Sequence, residues 1–159
     1  MSMPGHFNST LIPKRALKYF EANRNVLVIE DDKVLGQMVT EILDDVGFEV
    51  STAPNGRIAF DKLKKTPIDF IVLDILLPEM DGFEIYAKLQ ANPDTKNIPV
   101  MLVTAWADER NIERASQMGI QHFLPKPFTE DELLYTILTL LVDTSRKESR
   151  ESNSGDSTS

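Results

Sequence analysis

The chain has no cysteine among its 159 residues, so disulfides and thiol catalysis are excluded, and a reducing compartment is compatible with it. Its two histidines, His6 and His122, are too isolated to pair at a metal, and neither is read as a phosphate carrier. Basic residues are in deficit. Seventeen Lys and Arg stand against 25 Asp and Glu, a net charge of -8, which argues against binding nucleic acid directly through a basic surface. No apolar run approaches the length of a membrane span. The first residues lack a continuous apolar stretch of signal-peptide size, because Pro4, His6, Asn8 and Ser9 interrupt it. The expectation is a cytoplasmic protein without membrane contact. What is present is a hydrophobic fraction of 42%, enough for a real core.

The chain divides into three parts. Residues 1–24 are a polar lead in which Lys14 to Ala22 reads as a short helix, with Pro13 in its first turn and Ala16, Leu17 and Phe20 as a weak stripe. Residues 25–142 carry strong periodicity. The polar segment 143–159 has no large apolar residue beyond Thr144 and is expected to be disordered. In the middle part, short apolar runs alternate with helical spacing. The strands are read at Asn25 to Ile29, Phe48 to Ala53, Asp69 to Leu73, Pro99 to Val103 and Gln121 to Leu124. Helices follow each: one carrying Leu35, Val39, Ile42, Leu43 and Val46 and ended by Gly47, then Asn55 to Lys64, Gly82 to Gln90 and Asp108 to Met118, and a last one from Thr129. Thr129 and Glu132 have the spacing of a capping box. Five strands, each followed by a helix, imply an α/β fold with a parallel sheet covered on both faces.

Acids mark the strand ends. Val26-Leu27-Val28-Ile29 runs into Glu30-Asp31-Asp32, and Phe70-Ile71-Val72-Leu73 runs into Asp74. A ligand cleft in such a sheet lies beyond the carboxyl ends of its strands. Carboxylates crowded there repel unless a cation neutralises them, which makes this a candidate metal and phosphoryl site. Asp32 reads as the cap of the first helix, and Pro78 and Gly82 as turn residues after Asp74.

Glu30-Asp31 after the first strand, Asp74 after the third, Thr104 after the fourth and Lys126-Pro127-Phe128 after the fifth come in order, each at a strand end. In this, residues 25–142 resemble the response regulator receiver domain of two-component signalling. The resemblance implies a flavodoxin-like, doubly wound, five-stranded parallel sheet of strand order 2-1-3-4-5. It implies Asp74 as phosphoacceptor, taking a phosphoryl group from a histidine of a sensor histidine kinase or a histidine phosphotransfer protein. Mg²⁺ would be held by Glu30, Asp31, Asp74 and the carbonyl of Leu76. Thr104 and Lys126 would bind phosphoryl oxygens, with Lys126 paired to Asp74 beforehand and the Lys126-Pro127 peptide cis. Thr104 and Phe123 would form the switch, with Ile120 as a bulky neighbour of that ring. An unknown downstream protein would dock on the fourth helix, fifth strand and fifth helix. Trp106, two residues past Thr104, is read as a modulator of water access. Two rivals stand beside this reading. A degenerate receiver used only as an interaction module would lack a key residue, and none is missing. A phosphatase using an aspartyl phosphate would want an acid two residues past the nucleophile, where this chain has Leu76.

Overall fold

A computed structural model describes Phe20 and residues 24–156, with side chains through Glu151. The elements are β1 (Asn25–Ile29), α1 (Lys33–Asp45), β2 (Glu49–Ala53), α2 (Gly56–Lys65), β3 (Phe70–Leu73), α3 (Gly82–Ala91), β4 (Val100–Thr104), α4 (Glu109–Gln117), β5 (His122–Pro125) and α5 (Glu130–Asp156). All strands run parallel in the order β2-β1-β3-β4-β5, as expected.

Side chains of a strand alternate between faces, and here both faces are apolar. Val26, Val28, Phe70, Val72, Met101 and Val103 meet Val39 and Leu43 of α1 and Leu133, Leu134, Ile137 and Leu141 of α5. Leu27, Ile29, Ile71, Leu73, Val100 and Leu102 meet Ala59 of α2, Phe83, Ile85 and Leu89 of α3 and Ala115 of α4. One sheet thus has two cores.

Helix ends are set by side-chain chemistry. Asp32, Asn55, Asp81 and Asp108 each accept backbone N–H groups of the helix they precede. At α5, Thr129 Oγ1 accepts from the Glu132 N–H at 3.1 Å while Glu132 Oε1 accepts from the Thr129 N–H at 3.1 Å. Gly47 and Gly119, at φ +104° and +91°, end α1 and α4. Phe48 N–H reaches back to Leu43 O and Ile120 N–H to Ala115 O, the six-residue closure of a left-handed cap.

One flank differs from the reading above, and the other lies almost wholly outside the described residues. The segment expected to be disordered from residue 143 is helical through Asp156, as the continuation of α5. Propagating a helix that packing has already nucleated adds a hydrogen bond per residue without a new nucleus, so no apolar residue is needed. The proposed Lys14–Ala22 helix lies outside the described residues except for Phe20. That ring is buried in the first core and meets Phe48 edge-on at 5.8 Å, and Phe48 meets Phe70 likewise at 5.3 Å. A residue from the lead therefore completes the core. Phe20→Ala should lower stability by about 3 kcal/mol, the usual range for removing a buried ring; a chemical denaturation curve matching wild type would show that the contact is dispensable.

Candidate functional site

Glu30, Asp74 and Lys126 are each held by one further rung of the ladder beyond the strand that precedes them. Glu30 N–H donates to Ala53 O at 3.0 Å, Asp74 N–H to Ile29 O at 3.1 Å and Lys126 N–H to Thr104 O at 2.9 Å. These bonds carry the β1–β2, β3–β1 and β5–β4 pairings past the strand ends. Glu30, Asp31 and Asp74 each offer a carboxylate oxygen, and these lie within 4.8 Å of one another. Glu30 and Asp74 are nearly buried, with side chains 6% and 5% exposed, while Asp31 is open to solvent.

Lys126 Nζ sits between the two buried acids, 2.6 Å from Glu30 Oε1 and 2.9 Å from Asp74 Oδ2. The expected pairing with Asp74 is present, but the shorter bond goes to Glu30. Asp74 Oδ1 also accepts the Leu76 N–H at 3.2 Å, a contact that side-chain reasoning missed because the donor is backbone. Asp32 caps α1 as expected, accepting from Val34 and Leu35. Thr104 is fully buried, and its hydroxyl accepts the Trp106 N–H at 3.0 Å. Phe123 is half-buried against the second core, beside buried Ile120. The Lys126-Pro127 peptide is cis. His122 is at the other end of β5, 3.3 Å from Asp143 and remote from the acids. Gly82, read both as a turn residue and as the start of a helix, is the first residue of α3, as the helix reading has it, and is not in the left-handed region.

Burial raises the Glu30 carboxyl from its ordinary 4.5 to about 7; Lys126 pulls the other way and Asp74 adds to the rise. Lys126 is pulled down by burial, but its bonds to Glu30 and Asp74 outweigh this and leave it above its usual value. Three clustered carboxylates with one ammonium keep an excess of negative charge. Hard oxygen donors at this spacing fit a hard divalent cation such as Mg²⁺.

Residues 26–138 match the model of the response regulator receiver domain. The chain belongs to the response regulator receiver family. Among its relatives, the transcriptional regulatory protein CrdR of Helicobacter pylori is 33% identical over 110 residues, covering 69% of this chain and 51% of CrdR. Chemotaxis protein CheY-3 of Vibrio cholerae is 33% identical over 108 residues, covering 67% of this chain and 83% of CheY-3. The chain spans about half the length of the first curated relatives, which are longer regulators. A solved receiver domain of the sensor histidine kinase PA1611 of Pseudomonas aeruginosa, with magnesium coordinated in its active site cleft, superposes with a TM-score of 0.68. It is 26% identical, over 76% of this chain and 98% of that one. Receiver domains are signalling switches, and no helix among the described residues is long and apolar enough to cross a membrane.

Two outcomes follow from the charge arrangement. Folded Glu30 keeps its proton up to about 7, whereas an ordinary carboxyl releases it near 4.5. Folding therefore takes up a proton in that window. This contribution to stability is full below the lower value and is lost as pH rises through the upper one. Glu30→Gln should remove that slope in denaturation curves recorded without divalent ions. Lys126→Met leaves two nearly buried acids face to face and should lower stability by about 3 kcal/mol above pH 7, with recovery on acidification. Unchanged melting of that variant would mean that the ammonium neutralises nothing.

Proposed function

We propose that this receiver domain is a phosphoacceptor, with Asp74 as the residue that takes the phosphoryl group from a histidine of a sensor histidine kinase or histidine phosphotransfer protein. One observation carries the reading: the Lys126 ammonium is shared by Glu30 and Asp74, with Asp31 alongside, at the carboxyl ends of the strands.

The chemistry is a displacement at phosphorus. A carboxylate oxygen of Asp74 forms the new P–O bond as the P–N bond to the donor imidazole breaks, and the imidazole leaves with the electron pair and takes up a proton. Such a transfer needs alignment and charge neutralisation more than covalent help. Lys126 is a compact donor poised at Asp74 and meets the charge arriving on a phosphoryl oxygen. Leu76 N–H holds Asp74 Oδ1 and fixes the plane of the carboxylate. The Thr104 hydroxyl is bound as acceptor to Trp106 N–H, so its proton is free to be donated to a second phosphoryl oxygen. Glu30, Asp31, Asp74 and the Leu76 carbonyl would hold Mg²⁺, which supplies positive charge to the same oxygens. The magnesium in the PA1611 receiver supports that choice.

The output surface we propose is α4, β5 and α5, switched through Thr104 and Phe123. Trp106, Ile112 and Tyr135 are exposed apolar side chains on or beside these elements, which suits docking of a downstream protein. Incubation with Mg²⁺ and phosphoramidate, followed by intact mass, should show a gain of one phosphoryl group that Asp74→Asn lacks. If the wild-type chain gains none where a control receiver is labelled, the interaction-module reading replaces this one.

A further inference from the structure

We infer that Gly82 and Gly56 are positioning residues for the loop that follows Asp74, an inference that rests on the function proposed above. The loop leaves β3 at Asp74 and re-enters regular structure at Gly82, the first residue of α3. Its return is closed by the backbone: Gly82 N–H donates to Ile75 O at 2.8 Å. A Cβ on Gly82 would lie 2.4 Å from Asp74 O, 2.7 Å from Ile75 Cα and 3.0 Å from Asp74 C. All three are main-chain atoms, and none can swing aside as a side-chain tip does. Gly82 needs no left-handed backbone, so what matters is the missing side chain. The head of α3 presses directly on the peptide that carries the phosphoacceptor.

Gly56 makes a second, softer contact from the head of α2. Its Cβ would sit 3.1 Å from two side-chain atoms of Ile85 and 3.3 Å from Met80 Sδ. Met80 belongs to the same loop. Its N–H bonds Pro78 O at 2.7 Å across Glu79, which is held at φ +68°. The loop is thus fastened at both points where a glycine removes bulk. Between them it carries the Leu76 N–H that orients Asp74 and the Leu76 carbonyl assigned to the cation. A side chain at Gly82 has to displace the Asp74 main chain itself. One at Gly56 displaces only flexible tips.

The test uses the full chain with Gly82→Ala, Gly56→Ala and, as a control, Phe48→Leu. Phe48 lies in the core at the opposite end of the sheet, so this variant loses stability without touching the loop. Mg²⁺ is titrated while the fluorescence of Trp106, the single tryptophan, is followed, and the phosphoramidate labelling rate is read by mass. Gly82→Ala should weaken Mg²⁺ about tenfold or more, the usual scale for losing support behind a metal ligand, and slow labelling with it. Gly56→Ala should shift both in the same direction by less. Phe48→Leu should keep wild-type affinity despite a lower melting temperature. A folded Gly82→Ala with wild-type Mg²⁺ affinity overturns the inference, as does an equal loss in Phe48→Leu. If Gly82→Ala does not fold, Gly56→Ala decides, and unchanged affinity there overturns it. A wild-type chain that neither responds to Mg²⁺ nor takes label fails the proposed function instead.

Discussion

The ammonium of Lys126, shared between Glu30 and Asp74, is the contact on which the rest of the arrangement depends. It ties the ends of β1, β3 and β5, which are 44 to 96 residues apart in the chain, to one point. Two carboxylates so little exposed would otherwise repel each other in a poorly solvated corner. The sheet order makes the contact possible, since β3 lies next to β1 and β5 is one strand further out beyond β4. The fold supplies the register, and the lysine supplies the charge that lets two acids stay there. An incoming group with negative charge would find its cation already in place, while an incoming metal ion would have to compete with it for Glu30. The same few atoms thus set both what the site attracts and what it must release.

Around this point the chain is fixed by local hydrogen bonds. Each of α1 to α5 begins at a capped turn on the side of the sheet where the acids lie, because a parallel strand delivers the chain there before the helix starts. Caps fix where helices begin, and the rungs beyond the strands fix where side chains emerge. Thr104 illustrates the balance. Its hydroxyl is buried but satisfied by the Trp106 N–H, so it is held without being used up as a donor.

Much of this was legible in the residues. Alternating apolar runs and helical spacing give five strands in a parallel sheet, because two-faced burial leaves a continuous apolar signature in each central strand. The caps at Asp32 and Thr129–Glu132 were readable because capping depends on neighbours in sequence. The gathering of Glu30, Asp31 and Asp74 followed from strand ends, and the place of Lys126 beside them from the resemblance. The contacts less visible are those with no local signal. The shorter Lys126 bond to Glu30 depends on three-dimensional reach. The Leu76 N–H on Asp74 is backbone, and main-chain donors carry no residue-type label. Gly82 looked like a turn residue, whereas its requirement is space against a distant main-chain segment. Phe20 belongs to a polar lead whose weak stripe with Ala16 and Leu17 gave little sign that it would complete a core. The helical course of residues 143–156 has no apolar pattern because its start, not its composition, supports it.

That last helix has a mechanical consequence. α5 has 27 residues, and its apolar contacts with the sheet end near Val142. The remaining stretch is about 20 Å long at 1.5 Å per residue. Being continuous with the docked turns, it carries any tilt at its root out to its tip. A tilt of about 10° at the root would sweep the far tip through roughly 3.5 Å, so sub-ångström adjustments beneath the helix are magnified at a distance from where they begin.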